Sequence, residues 1–131
     1  MKIPLSIKTR TGTDEHDLEE QMKFLIEVSK YVSMITIHGR TVKQWYTAES
    51  NWDFIYELKK QITGRKSQVT KKEPAPWNLL PETPCKIIWN GGIKNYEDIK
   101  KLQWDLDWVM IGQSAIGNPR IFTPHLPSRE E

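Results

Sequence analysis

A single cysteine, Cys85, stands in this chain of 131 residues. That scarcity excludes an intramolecular disulfide and any multi-cysteine metal site, and a reducing cytoplasm is the expected compartment. Metal-ligand spacings, an HExxH pair, a Walker loop and a GxSxG elbow are all missing from the chain. Hydrolase and nucleoside-triphosphatase readings therefore have no support. No apolar run approaches the length of a membrane span. The opening residues Met1-Lys2-Ile3-Pro4-Leu5 lack the long apolar core and small-residue cleavage site of a signal peptide. Charge of one sign is lacking too. Nineteen basic against seventeen acidic residues leave a net charge of +2, which permits nucleic-acid binding without arguing for it. There is no internal repeat and no long low-complexity tract.

The residues present have the composition of an ordinary globular domain, with 37% apolar and 27% charged, enough for one domain with its own core. Leu5 to Lys8 reads as a strand and opens the chain almost at once, which leads us to expect missing elements upstream. The polar loop Thr9 to Gly12 follows. A helix then starts at Thr13 or Asp14, where Asp14, Glu15 and Asp17 favour the positive end of its dipole. Leu18, Met22, Leu25, Val28 and Val32 form one stripe at spacings of three and four. Met34 to Ile37 is the next strand, ending at His38-Gly39-Arg40-Thr41. Ser50 is expected to cap a second helix, with Asp53 in a capping-box relation, and Phe54, Ile55, Leu58 and Ile62 face inward before Gly64. Cys85 to Trp89 reads as a third strand, Asn95 as the cap of a short helix, and Trp108 to Ile111 as a fourth strand. A last helical turn spans Pro119 to Phe122.

Strands alternating with helices imply parallel pairing. The expected fold class is α/β: a partial (β/α)8 TIM barrel of about four consecutive strand-helix units. Each strand leads into a polar or glycine-bearing loop, on the edge where such folds place ligands. Asn90-Gly91-Gly92 and Gly112-Gln113 are either ordinary turns or a phosphate cradle in which backbone amides approach an anion. His38 and Arg40 close the second strand, as a surface cap or as ligand donors. Lys8 either snorkels outward or reaches into a site. The long segment 64–84 is basic and proline-rich, and is either a solvated insertion or a contact to RNA backbone. Trp52, Trp89 and Trp108 are expected in the core, and Trp45 and Trp77 in loops. His16 and His125 carry no role.

Four blocks make the chain similar to the tRNA dihydrouridine synthase family. They are Pro4 to Gly12; Ile35 to Thr41 with Gln44, Tyr46 and Asn51-Trp52; Trp89 to Ile93; and Val109 to Phe122. The resemblance implies an FMN- and NADPH-dependent reductase that saturates the C5–C6 bond of uridine in tRNA. It implies that Lys8 and His38 approach FMN, that Asn90, Gly91, Gly92, Gly112 and Gln113 hold its phosphate, and that Arg40 contacts substrate. No metal is implied. The family usually has Asp where Gly92 stands, often Arg where Gln113 stands, and a small residue where Trp108 stands.

The expected organisation is residues 1–124 as the second half of such a barrel, with 64–84 as an insertion and 125–131 as a tail. The half that bears the family's catalytic cysteine is then absent, so no catalytic residue is assigned, and the isolated chain is expected to be inactive. The alternative is a non-catalytic remnant half-barrel that binds phosphate compounds or pairs with another chain. Expected partners are tRNA, a separate chain carrying the first half, and further copies through open sheet edges, with no membrane.

Overall fold

The computed structural model describes residues 3–45, 47–64, 84–103 and 106–123. The basic segment 65–83, Trp77 and the tail with His125 lie outside them. Four strands, β1 (Ser6–Arg10), β2 (Met34–His38), β3 (Lys86–Asn90) and β4 (Trp108–Met110), lie side by side in chain order. All three pairings are parallel, which requires a crossover between successive strands. Those crossovers contain helices α1 (Leu18–Val28), α2 (Trp52–Gly64) and α3 (Tyr96–Gln103). The fold is a partial TIM barrel, four parallel strands alternating with helices, as expected.

Side chains alternate between the faces of a strand, and the two faces of this sheet differ sharply. Ile35, Ile37, Ile87 and Trp89 are wholly buried and meet Leu25 and Ile26 of α1, Phe54, Ile55, Leu58 and Ile62 of α2, and Ile99 and Leu102 of α3. Isoleucine and tryptophan supply the broad β-compatible surface that such burial needs. Trp52 stacks on Trp89 with ring centroids 4.3 Å apart. The opposite face carries chemistry instead of core. Its register aligns Lys8, Thr36, Ile88 and Trp108 in one row, and Arg10, His38, Asn90 and Met110 in the next, at the C-terminal edge.

Local chemistry adjusts three expectations. The first helix opens with a 3-10 turn, Glu15–Asp17, capped by Asp14 in a reciprocal capping box with Asp17. Asn51, and not Ser50, caps α2: its Oδ1 accepts the Phe54 N–H at 3.1 Å. The Ser50 side chain is buried instead, beneath Gly39 and Gly92. Trp89 is core and Trp45 is exposed, but Trp108 is half exposed on the outer strand, where the Lys86 ammonium stands 4.3 Å from its ring centre. Asn95 caps α3 as expected, with Oδ1 accepting the Asp98 N–H at 2.9 Å.

Candidate functional site

All eight residues singled out in the sequence line one cavity of about 350 Å³ at the C-terminal edge of the sheet. Lys8 and His38 enter from β1 and β2, Arg40 from the loop after β2, and Asn90, Gly91 and Gly92 from the end of β3. Gly112 and Gln113 follow β4. Among the further residues that line it, three are polar or charged and were given no site role in the sequence reading: Arg10, Lys94 and Ser114. Arg10 was detectable, because it follows Lys8 by two positions on a strand and so shares its face. Lys94 lies in irregular backbone and Ser114 in the short 3-10 turn Gln113–Ala115, where no periodicity marks them.

His38 is the centre of the arrangement. It is only 9% exposed, and among the described residues no hydrogen bond holds its ring. Burial first, then the charges of Arg10, Arg40 and Lys8, push the imidazole from its ordinary 6.5 down to about 4. At neutral pH the ring is uncharged and offers one N–H donor and one nitrogen acceptor.

Gly91 is required by this ring, and Gly92 by the buried Ser50 beside it. Gly91 has φ of +98°, and a Cβ there would stand 2.4 Å from His38 Cδ2. Gly92 has φ of +75°, and a Cβ there would meet the Ser50 Oγ at 2.8 Å. Backbone at positive φ packed this closely against side chains admits only glycine without strain. The Trp89 indole N–H donates to the Gly91 carbonyl and holds the turn from below.

Hydrogen bonds between neighbouring loops make the cavity wall continuous. Asn90 Nδ2 donates to the Met110 carbonyl at 2.9 Å, and the Ser114 hydroxyl to the Ile93 carbonyl at 2.5 Å. On the other side an Arg10 guanidinium N–H donates to the Thr41 carbonyl at 3.0 Å, and Arg40 Nε to the Ala48 carbonyl at 2.6 Å. Lys8, Arg10, Arg40 and Lys94 are four cationic residues of the lining, and among the described residues none that lines it is acidic. The arrangement suits an anionic ligand with hydrogen-bonding edges.

Cys85 is at the other end. It precedes β3, so it lies at the edge opposite Asn90. It is buried, and burial, together with the Asp107 charge, pushes its thiol up to about 11. A thiol so placed cannot reach the cavity. Among the described residues no group of acids, histidines or cysteines is arranged to hold a metal ion, and no helix is long and apolar enough to cross a membrane.

Comparison with known proteins agrees with these features. The family described as dihydrouridine synthase (Dus) matches residues 1–70 and 77–130. A probable tRNA-dihydrouridine synthase of Rickettsia typhi is 31% identical over 121 residues, which is 91% of this chain and 31% of that protein. One from Aquifex aeolicus is 30% identical over 130 residues, 98% of this chain and 34% of its own length. The tRNA-dihydrouridine(47) synthase [NAD(P)(+)] of Vanderwaltozyma polyspora is 29% identical over 126 residues, 92% of this chain and 19% of that protein. The chain thus spans about a fifth to a third of the length of these curated relatives.

Proposed function

The chain belongs to the dihydrouridine synthase family, and from that premise we propose that it is the cofactor-gripping second half of a tRNA dihydrouridine synthase barrel, residues 1–124. Its cavity takes FMN. The observation that carries this reading is the convergence of Lys8, His38, Asn90, Gly91, Gly92, Gly112 and Gln113 on one cationic cavity.

The residues present fit the cofactor. A phosphate suits the Gly91-Gly92 and Gly112-Gln113 amides, and a side chain on Gly91 would strike the His38 ring beside them. The isoalloxazine has carbonyls and ring nitrogens that accept hydrogen bonds, and Lys8 and neutral His38 are donors. Asn90 spends one N–H on Met110, leaving its Oδ1 to accept an N–H. A bound flavin supplies two-electron relay chemistry, from NADPH to the C5–C6 bond of a uridine in tRNA. The chain's own part is to orient the ring through Lys8 and His38, to neutralise the phosphate, and to present Arg40 toward the nucleotide.

Among the described residues Cys85, the one cysteine, is buried at the edge opposite the cavity and so is no proton donor to a uridine there. We therefore assign the proton donor and the first four strands to a segment or chain outside these residues, and no turnover to the isolated chain. The reading belongs to a reducing cytoplasm, where tRNA and NADPH meet.

FMN titration of the purified chain, followed by flavin fluorescence quenching, tests the proposal. Saturable binding that weakens at least tenfold in both His38→Ala and Asn90→Ala is the expected result. No saturation at high micromolar FMN would leave the family as ancestry and favour a half-barrel that binds simpler phosphate compounds or only another chain.

A further inference from the structure

The four cations of the cavity are not equivalent. Lys8, Arg10 and Arg40 cluster on the β1–β2 side, and both guanidinium groups there are tied to backbone carbonyls, Thr41 for Arg10 and Ala48 for Arg40. The β3–β4 side, where the glycine amides are, has one cationic lining residue, Lys94. Its backbone is pinned from two directions. The Lys94 N–H donates to Asp98 Oδ2 at 2.9 Å, and the carbonyl just before it accepts the Ser114 hydroxyl at 2.5 Å. That second bond also joins the loop after β3 to the loop after β4. Among the described residues the Lys94 ammonium has no ion-pair partner, unlike those of Lys23, Lys30, Lys43 and Lys59.

Resting on the FMN reading above, we infer that Lys94 is the specificity-determining residue for the phosphorylated flavin: its ammonium pairs with the terminal phosphate dianion, so that the site prefers FMN to riboflavin. The amides of Gly91, Gly92 and Gly112 supply direction but no net charge. A dianion placed against them needs a mobile cation, and a lysine stem anchored at its base and free at its tip provides one. Ser114 is the positioning residue that keeps the two loops, and with them Lys94, at one spacing.

The test compares FMN with riboflavin on the full chain, by fluorescence quenching at low ionic strength. Lys94→Met should raise the FMN dissociation constant about tenfold and leave that of riboflavin within a factor of two. Lys94→Arg should restore most of the FMN affinity, and the salt dependence of FMN binding should flatten in Lys94→Met. Ser114→Ala should weaken FMN and riboflavin alike, as loosened loops would.

The inference is overturned, with FMN binding itself intact, if Lys94→Met leaves FMN affinity unchanged. It is overturned equally if Arg10→Met, and not Lys94→Met, abolishes the preference for FMN, since the phosphate then lies at the β1–β2 side. Wild-type chain that binds neither flavin sinks the FMN reading, and this inference with it.

Discussion

At the scale of single residues, the contact between His38 and Gly91 concentrates most of the site's constraint. An alanine at 91 brings its Cβ within 2.4 Å of the imidazole at a φ of +98°, so either the ring leaves the cavity or the turn rearranges. Gly91→Ala should cost about 1–3 kcal/mol of stability and abolish flavin quenching. Denaturant melts and titrations of the same sample check both, and an unchanged titration would show that the turn is not part of the site. His38 also sets a pH response. Its ordinary pKa is 6.5 and the folded value is about 4, so below pH 6.5 the unfolded chain takes up the proton first. Stability is fully present above 6.5 and is lost as pH falls toward 4. In His38→Gln that part of the pH dependence should disappear from urea midpoints measured between pH 7 and 4. Equal slopes in the two proteins would count against a neutral, buried imidazole.

At the scale of elements, Asp107 joins three of them. Its Oδ2 accepts from the Lys59 ammonium of α2 and, at 2.8 Å, from the Ile87 N–H of β3, while its own position precedes β4. Burial opposes ionisation here, but the bonds from Lys59 and Ile87 outweigh it and hold the carboxyl below its ordinary 3.8. Its stabilisation is therefore present above pH 3.8 and lost below. Asp107→Ala leaves the Ile87 N–H without its acceptor and should cost about 1–3 kcal/mol, read as a shift in denaturant midpoint. Because Asp107 lies at the edge opposite the cavity, FMN affinity in the native protein should not move. What the sequence conveyed about these elements follows from what periodicity encodes. Strand-helix alternation, the two-faced strands and the glycine turns were legible, because each depends on local spacing or on a residue type with one conformational use. The choice between Ser50 and Asn51 as cap was not. Both suit the role, and only the Asn51 N–H bond to the Gly39 carbonyl at 2.5 Å, with Ser50 packed beneath Gly39, decides between them. Trp108 reads as core by hydrophobicity, but it lies on an outer strand and on the face away from the helices, which no single-strand pattern reveals. Lys94 enters the site through loop geometry, and its role had no signature in spacing.

At the scale of the whole molecule, the sheet has two unlike edges. Among the described residues nothing pairs with the free side of β1 or of β4. The face that would become a barrel interior carries Lys8 and Arg10 on β1 and the half-exposed Trp108 and the partly exposed Met110 on β4. Open parallel edges invite further strands. Two copies joined β4 to β1 and β4 to β1 again would close at eight strands, a head-to-tail arrangement completed by one two-fold axis. Each copy, however, would bring Lys8, Arg10 and Arg40 into a shared interior that contains no acid from the cavity lining. Like charges this close oppose association unless they are screened or neutralised. A separate chain with a neutral or acidic inner face would meet no such opposition. Self-association of the isolated chain should therefore be weak at low salt and grow as ionic strength rises or phosphate is added. Sedimentation velocity over a salt series at fixed protein concentration measures it. In Trp108→Lys, which adds a charge at the β4 edge, the association should fall further at every salt concentration. Association that weakens with added salt would mean that the copies meet through oppositely charged outer surfaces, and the edges would then have to be protected by some other part of the protein.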